Sequence, residues 1–117
     1  MKLQYPNMRK ELRDSLEDLA DRSRLLSEDE NGSLLDYAVH FLFDDTNLCD
    51  DASNSVGWFL HSEMEAQQLA AVCDAFNVMF ARHGTEEPDA FYLCCDEWEA
   101  VDLAVKRALR LLHAAEL

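Results

Sequence analysis

The chain has 117 residues, with ten Lys and Arg against 24 Asp and Glu, for a formal net charge of −14. That length fits one domain over residues 1–117, burying roughly two-thirds of its unfolded surface. With 49% apolar residues it is no disordered tail, while so acidic a balance excludes direct nucleic-acid binding and disfavours anionic membrane.

Met1 to Arg13 is polar and lacks the apolar core of roughly 7–15 residues that marks a signal peptide. A first helix is predicted from about Pro6 to Leu26. Met8, Leu12, Leu16, Leu19 and Ala20 recur at three- and four-residue spacing. Proline suits the first turn, where its missing N–H costs nothing. The polar run Ser27 to Gly32 predicts a loop. A second helix is predicted over Leu34–Asp45, opened by Ser33 with Asp36 in the usual place of a capping-box Glu. Its apolar residues run almost all round, which predicts a central helix covered on several sides. Asp44 to Ser55 should be irregular, and Val56 to Leu60 is too short for its period to separate extended chain from a helical turn.

A third helix should start after Ser62, where Glu65 completes a Ser-x-x-Glu box. Leu69, Val72, Cys73, Phe76, Met79 and Phe80 form its apolar stripe, and Gly84 is its stop. Asp89 to Cys95 reads as a short helical turn. The last helix should follow Asp96, with Glu99 three residues on. Trp98, Val101, Ala104, Val105, Ala108, Leu109 and Leu112 line one face, and Lys106, Arg107, Arg110 and His113 complement the dipole near its end. Three glycines and two prolines are too few for a hairpin-rich fold. The expected architecture is all-α, a compact single domain of four main helices with irregular acidic loops.

The sequence carries few motifs for chemistry. Counted as an EF-hand from Asp45, the acidic loop has Asn47 third, Cys49 fifth, Asp50 sixth and Val56 twelfth. The glycine and glutamate that a calcium loop needs are missing. Neither C-x-x-C nor H-x-x-x-H occurs, and the neighbours Cys94 and Cys95 point apart, so no metal or cofactor is expected. The four cysteines read as reduced, buried thiols in the cytoplasm. His40 and Asp44 share a helix face, but no nucleophile motif accompanies them, and no activity or catalytic residue is expected. No apolar run approaches the about 18 residues of a membrane span. Trp98 fits the buried stripe, while Trp58, after Gly57, is as suited to an interface as to the core.

The charge is unevenly placed. From Leu25 through Ala81 there is no Lys or Arg, while eleven acids occur. Such self-repulsion is tolerated for solubility, or for a basic partner that a negative surface steers to fast encounter. The expected contacts are Asp44, Asp45, Asp50 and Asp51, with Glu28, Asp29 and Glu30 as a second patch and Trp58 as an apolar anchor. Asp36, His40 and Thr46 are expected to shape the base of the loop.

The stretch Asp36 to Thr46, of pattern D-x-x-x-H-F-L-[FY]-D-D-T, followed by Gly57, resembles a family of small acidic bacterial proteins. Pro88 to Leu93 and Trp98 extend the likeness, which covers about residues 8–112. In size and charge the chain is also similar to immunity proteins of bacterial toxin systems, contact-dependent growth inhibition among them. That resemblance implies a cytoplasmic binder that neutralises a basic toxin nuclease domain. The alternative is an acidic adaptor or regulatory protein for a non-toxin partner.

Overall fold

Pro6 opens α1 (Pro6–Ala20) at its first position. The computed structural model describes residues 3–27, 34–46 and 48–115. The long first helix of the sequence reading breaks at Asp21, whose backbone leaves helical angles at φ −107° and ψ 86°. The Asp21 carboxylate accepts the Arg24 backbone N–H at 3.1 Å and so caps a new short helix, α2 (Arg22–Ser27). Capping competes with continuation, and here it prevails.

Helix α3 (Leu34–His40) runs into one π-helical turn, Phe41–Asp45. The turn closes where Thr46 N–H reaches Phe41 O at 3.2 Å, five residues back. The Thr46 hydroxyl donates to the same carbonyl at 2.8 Å and accepts from Leu48 N–H at 3.3 Å. Thr46 thus ends the helix and starts the loop. The expected all-round burial of this helix does not hold. Leu35, Ala38, Phe41 and Leu42 face the core, but Tyr37 is 53% exposed and its hydroxyl donates to Glu11.

A 3-10 turn, Ala52–Ser55, leads into the segment whose period was undecided. That segment is a tight turn with one isolated bridge, Val56 to Leu60. Gly57 sits at φ +89°, a conformation that a side chain would strain. Gln4 and Tyr5 donate their N–H groups to Gly57 O and Trp58 O at 3.1 and 2.7 Å, which pins the N-terminal segment there.

Helix α4 (Glu63–His83) begins as expected, with Ser62 Oγ accepting Glu65 N–H. It ends at Gly84, φ +79°, whose N–H returns to Phe80 O. The short α5 (Asp89–Cys94) follows, then α6 (Trp98–Ala114). The cap of α6 is Glu97, not Asp96, and its side chain makes no capping bond.

Helix α4 packs against α6, and α1 packs against α6 and α3. Leu12, Leu16, Leu69, Val72, Phe76, Val101 and Val105 are completely buried between them. Phe76 meets Phe43, Phe80 and Trp98 in an aromatic cluster. Trp98 is 4% exposed, as its place in the stripe predicts. The radius of gyration is 13.8 Å, against about 13.4 Å for a compact chain of this length. The fold is therefore the all-α class read from the sequence, its four main helices joined by two short ones among the described residues.

One polar device lies inside this core. Arg9 and Glu65 are 4% and 1% exposed and meet fork to fork, at 2.8 and 2.9 Å. Arg9 also donates to Phe59 O, and Glu65 accepts His61 N–H at 2.7 Å. Glu65 thus reaches back as a capping-box glutamate does, but one residue further, and its remaining capacity goes to Arg9. Burial raises the Glu65 pKa, but the Arg9 and His61 hydrogen bonds outweigh it and leave the group below its ordinary value.

Candidate binding surface and the clusters beside it

The acidic loop starts from the π turn. Asp44 and Asp45 stand on its last turn, and Asp50 and Asp51 follow the next bend; all four are exposed. Cys49 N–H closes the loop onto Leu42 O at 3.4 Å. A disulfide then ties Cys49 to Cys73 of α4. This corrects the expectation of four reduced thiols. The pair is 24 residues apart in sequence, and only the return of α4 beneath the loop brings it together. Cys94 and Cys95 remain free, the first exposed and the second half-buried. The carboxylates thus flank a loop closed by a hydrogen bond and a covalent link.

His40 organises the helix side of this surface. Its Nδ1 meets Asp44 at 2.6 Å and its Nε2 faces Asp36 at 3.8 Å. The hydrogen bond to Asp44 and the charge of Asp36 raise its pKa above the ordinary histidine value. Ring and carboxylates are all more than half exposed, so this grouping is open to solvent. Beside it lies a cleft of about 290 Å³. Its floor is Leu35, Val39, Phe80 and Tyr92, and Asp36, Glu87 and Asp89 stand at its rim. An apolar floor under carboxylates suits the stem and head of a Lys or Arg side chain.

Trp58 is 52% exposed and stands edge-on to Tyr5, at 5.7 Å between ring centroids. Its neighbour Phe59 is buried, so the turn presents one aromatic residue outward and the other inward. Glu28, Asp29 and Glu30 lie outside the described residues.

A family model matches residues 3–117. The chain belongs to the DUF7945 family. Its description is a domain of unknown function. The match takes in both acidic stretches and all the clusters described above. No curated protein and no solved structure matches this DUF7945 chain.

Two groupings in the domain had no visible signal in the sequence. One is the Arg9–Glu65 pair, 56 residues apart. The other surrounds Glu97, which takes Arg82 Nη1 at 2.5 Å on one oxygen and His83 Nε2 at 2.7 Å on the other. The His83 hydrogen bond is the main cause of a Glu97 pKa lowered to about 2. Arg82 and His83 lie in the last turn of α4, where cations complement the helix dipole. Their meeting with Glu97 depends on the tight return through α5.

Proposed function

We propose that this chain is a binding module for a basic protein, and that it serves as an immunity protein neutralising a cognate toxin domain of nuclease type. One observation carries this reading: a stretch of 57 residues, Leu25–Ala81, without Lys or Arg, presents four exposed carboxylates at the π turn after α3 and on the tied loop that follows. Asp44, Asp45, Asp50 and Asp51 would take charge-assisted hydrogen bonds from Lys and Arg of the partner. The cleft beside His40 would receive one basic side chain, and Trp58 would supply an apolar contact. The protein acts by occluding a surface, without catalysis of its own. Glu28, Asp29 and Glu30 would extend the negative field.

The cytoplasm is the compartment that fits this role, since a nuclease must be blocked where its substrate is. No described helix is long and apolar enough to cross a membrane. The Cys49–Cys73 bridge pulls the other way, because such links are uncommon in reducing compartments.

Co-expression with the product of the adjacent gene, followed by pull-down and a toxicity assay, tests the proposal. A complex and protection are expected; a complex without protection favours the adaptor reading, and the absence of both complex and protection overturns the proposal. Within a complex, Asp44→Lys with Asp50→Lys should weaken affinity at least tenfold and leave the circular dichroism spectrum unchanged. Unchanged affinity would place the interface elsewhere.

A further inference from the structure

The end of α4 and the turn into α6 bring together three donor atoms of different chemistry. His83 nitrogen, Cys95 Sγ and a Glu97 carboxylate oxygen all lie within 4.8 Å of one another, and all three residues are half-buried. We propose that His83, Cys95 and Glu97 form a site for a divalent transition-metal ion of the zinc type, with a fourth position left to water. This inference does not depend on the toxin-binding reading.

The donor set selects the ion. Imidazole, thiolate and carboxylate together suit zinc or cobalt, whereas calcium and magnesium take oxygen-only shells. Thiolate and carboxylate would also neutralise the two charges of the ion. Three protein ligands with one open position is the pattern of a zinc site that keeps a water.

The supporting contacts are in place before any ion arrives. The His83 ring stands edge-on to Phe91, 5.0 Å between centroids. Arg82 holds the far oxygen of Glu97 and leaves Oε1 towards His83. Cys95 donates its thiol to Tyr92 O at 3.1 Å, and the Tyr92 hydroxyl donates to Gly84 O, next to His83. Such outer partners orient ligands and tune affinity. Metal bonds of about 2.0–2.3 Å set ligand atoms about 3.5 Å apart in a tetrahedron, so His83 Nε2 and Glu97 Oε1, 2.7 Å apart, would part slightly while Cys95 Sγ closes from within 4.8 Å. Side-chain rotation covers that distance.

Binding would break the His83–Glu97 hydrogen bond and put the ion in the place of its proton. Cys95 would release its thiol proton to solvent, and His83 would bind through Nε2 as a neutral ring with its proton on Nδ1. Arg82 would stay on the outer oxygen.

Titration of the full chain with Co²⁺ and then Zn²⁺ tests this, anaerobically, with the Cys49–Cys73 bridge intact. One equivalent of Co²⁺ should give a thiolate-to-cobalt charge-transfer band in the near ultraviolet, and Zn²⁺ should displace it. Cys95→Ser should abolish the band. His83→Gln and Glu97→Gln should each weaken binding by at least tenfold. Cys94→Ser and His40→Gln should bind as the parent does. The absence of saturable binding overturns the site, as does a Cys95→Ser protein that keeps the band or a Cys94→Ser protein that loses it. Glu97→Gln also releases Arg82 and could unsettle the turn. Cys95→Ser, close in size, and His83→Gln then carry the test, with circular dichroism confirming their fold.

Discussion

Two carboxylates in this molecule meet nitrogen bases in opposite surroundings. Arg9–Glu65 is sealed under the turn that precedes α4, with further hydrogen bonds from His61 and to Phe59. His40–Asp44 stands in solvent at the mouth of the acidic loop. Burial decides what each can do. Charges removed from water are costly unless every lone pair and proton is met, and the inner pair approaches that condition. It joins the start of α1 to the start of α4 across 56 residues of sequence. The outer pair stays hydrated and contributes little to global stability. It can be titrated, or displaced by a partner's cation, without disturbing the fold.

The largest expected effect separates the two pairs most sharply. Glu65→Ala should destabilise the domain by about 3–5 kcal/mol, because it leaves the Arg9 guanidinium buried and unpaired. The double change Arg9→Met with Glu65→Leu should recover most of that loss. Denaturant unfolding followed by circular dichroism measures both. A Glu65→Ala midpoint equal to that of the parent would mean that water already reaches the pair, and the contrast would fail. Next in size is the tie beneath the acidic loop. Cys49→Ser should cost about 2–4 kcal/mol, mainly by freeing the unfolded chain. Thiol alkylation of the denatured parent should label only Cys94 and Cys95; four labelled cysteines would show the bridge open.

The same contrast explains what the sequence could disclose. Helices α4 and α6 were legible because Ser62 and Glu65 cap the first, Gly84 stops it, and apolar residues at helical spacing line both. Local geometry sets those signals. The acidic surface was legible because an exposed Asp needs no partner to be recognised. The Arg9–Glu65 pair, the Cys49–Cys73 bridge and the His83–Cys95–Glu97 cluster were not. Each joins segments whose meeting depends on how helices pack, and a spacing rule carries no packing information. Asp21 is the intermediate case. A carboxylate three residues before the N–H it caps is a local signal, but it lies inside an apolar periodicity that continues past it.

The smallest expected effect belongs to the outer pair, and pH reads it. The Asp44 hydrogen bond and the Asp36 charge raise the folded pKa of His40, so the protonated ring is favoured in the native state. Its contribution is fully present below the unfolded value near 6.5. It is lost as pH rises through the higher folded value. Asp44→Asn should therefore move the His40 titration, followed by its ring proton resonances, down towards the ordinary histidine value. The thermal midpoint should barely change, in contrast to Glu65→Ala. A His40 titration that Asp44→Asn does not shift would mean that the imidazole and carboxylate part in solution. If the coupling holds, His40 also gates the proposed interface: its protonation places a cation against Asp44, and a basic partner should bind more tightly once that proton leaves.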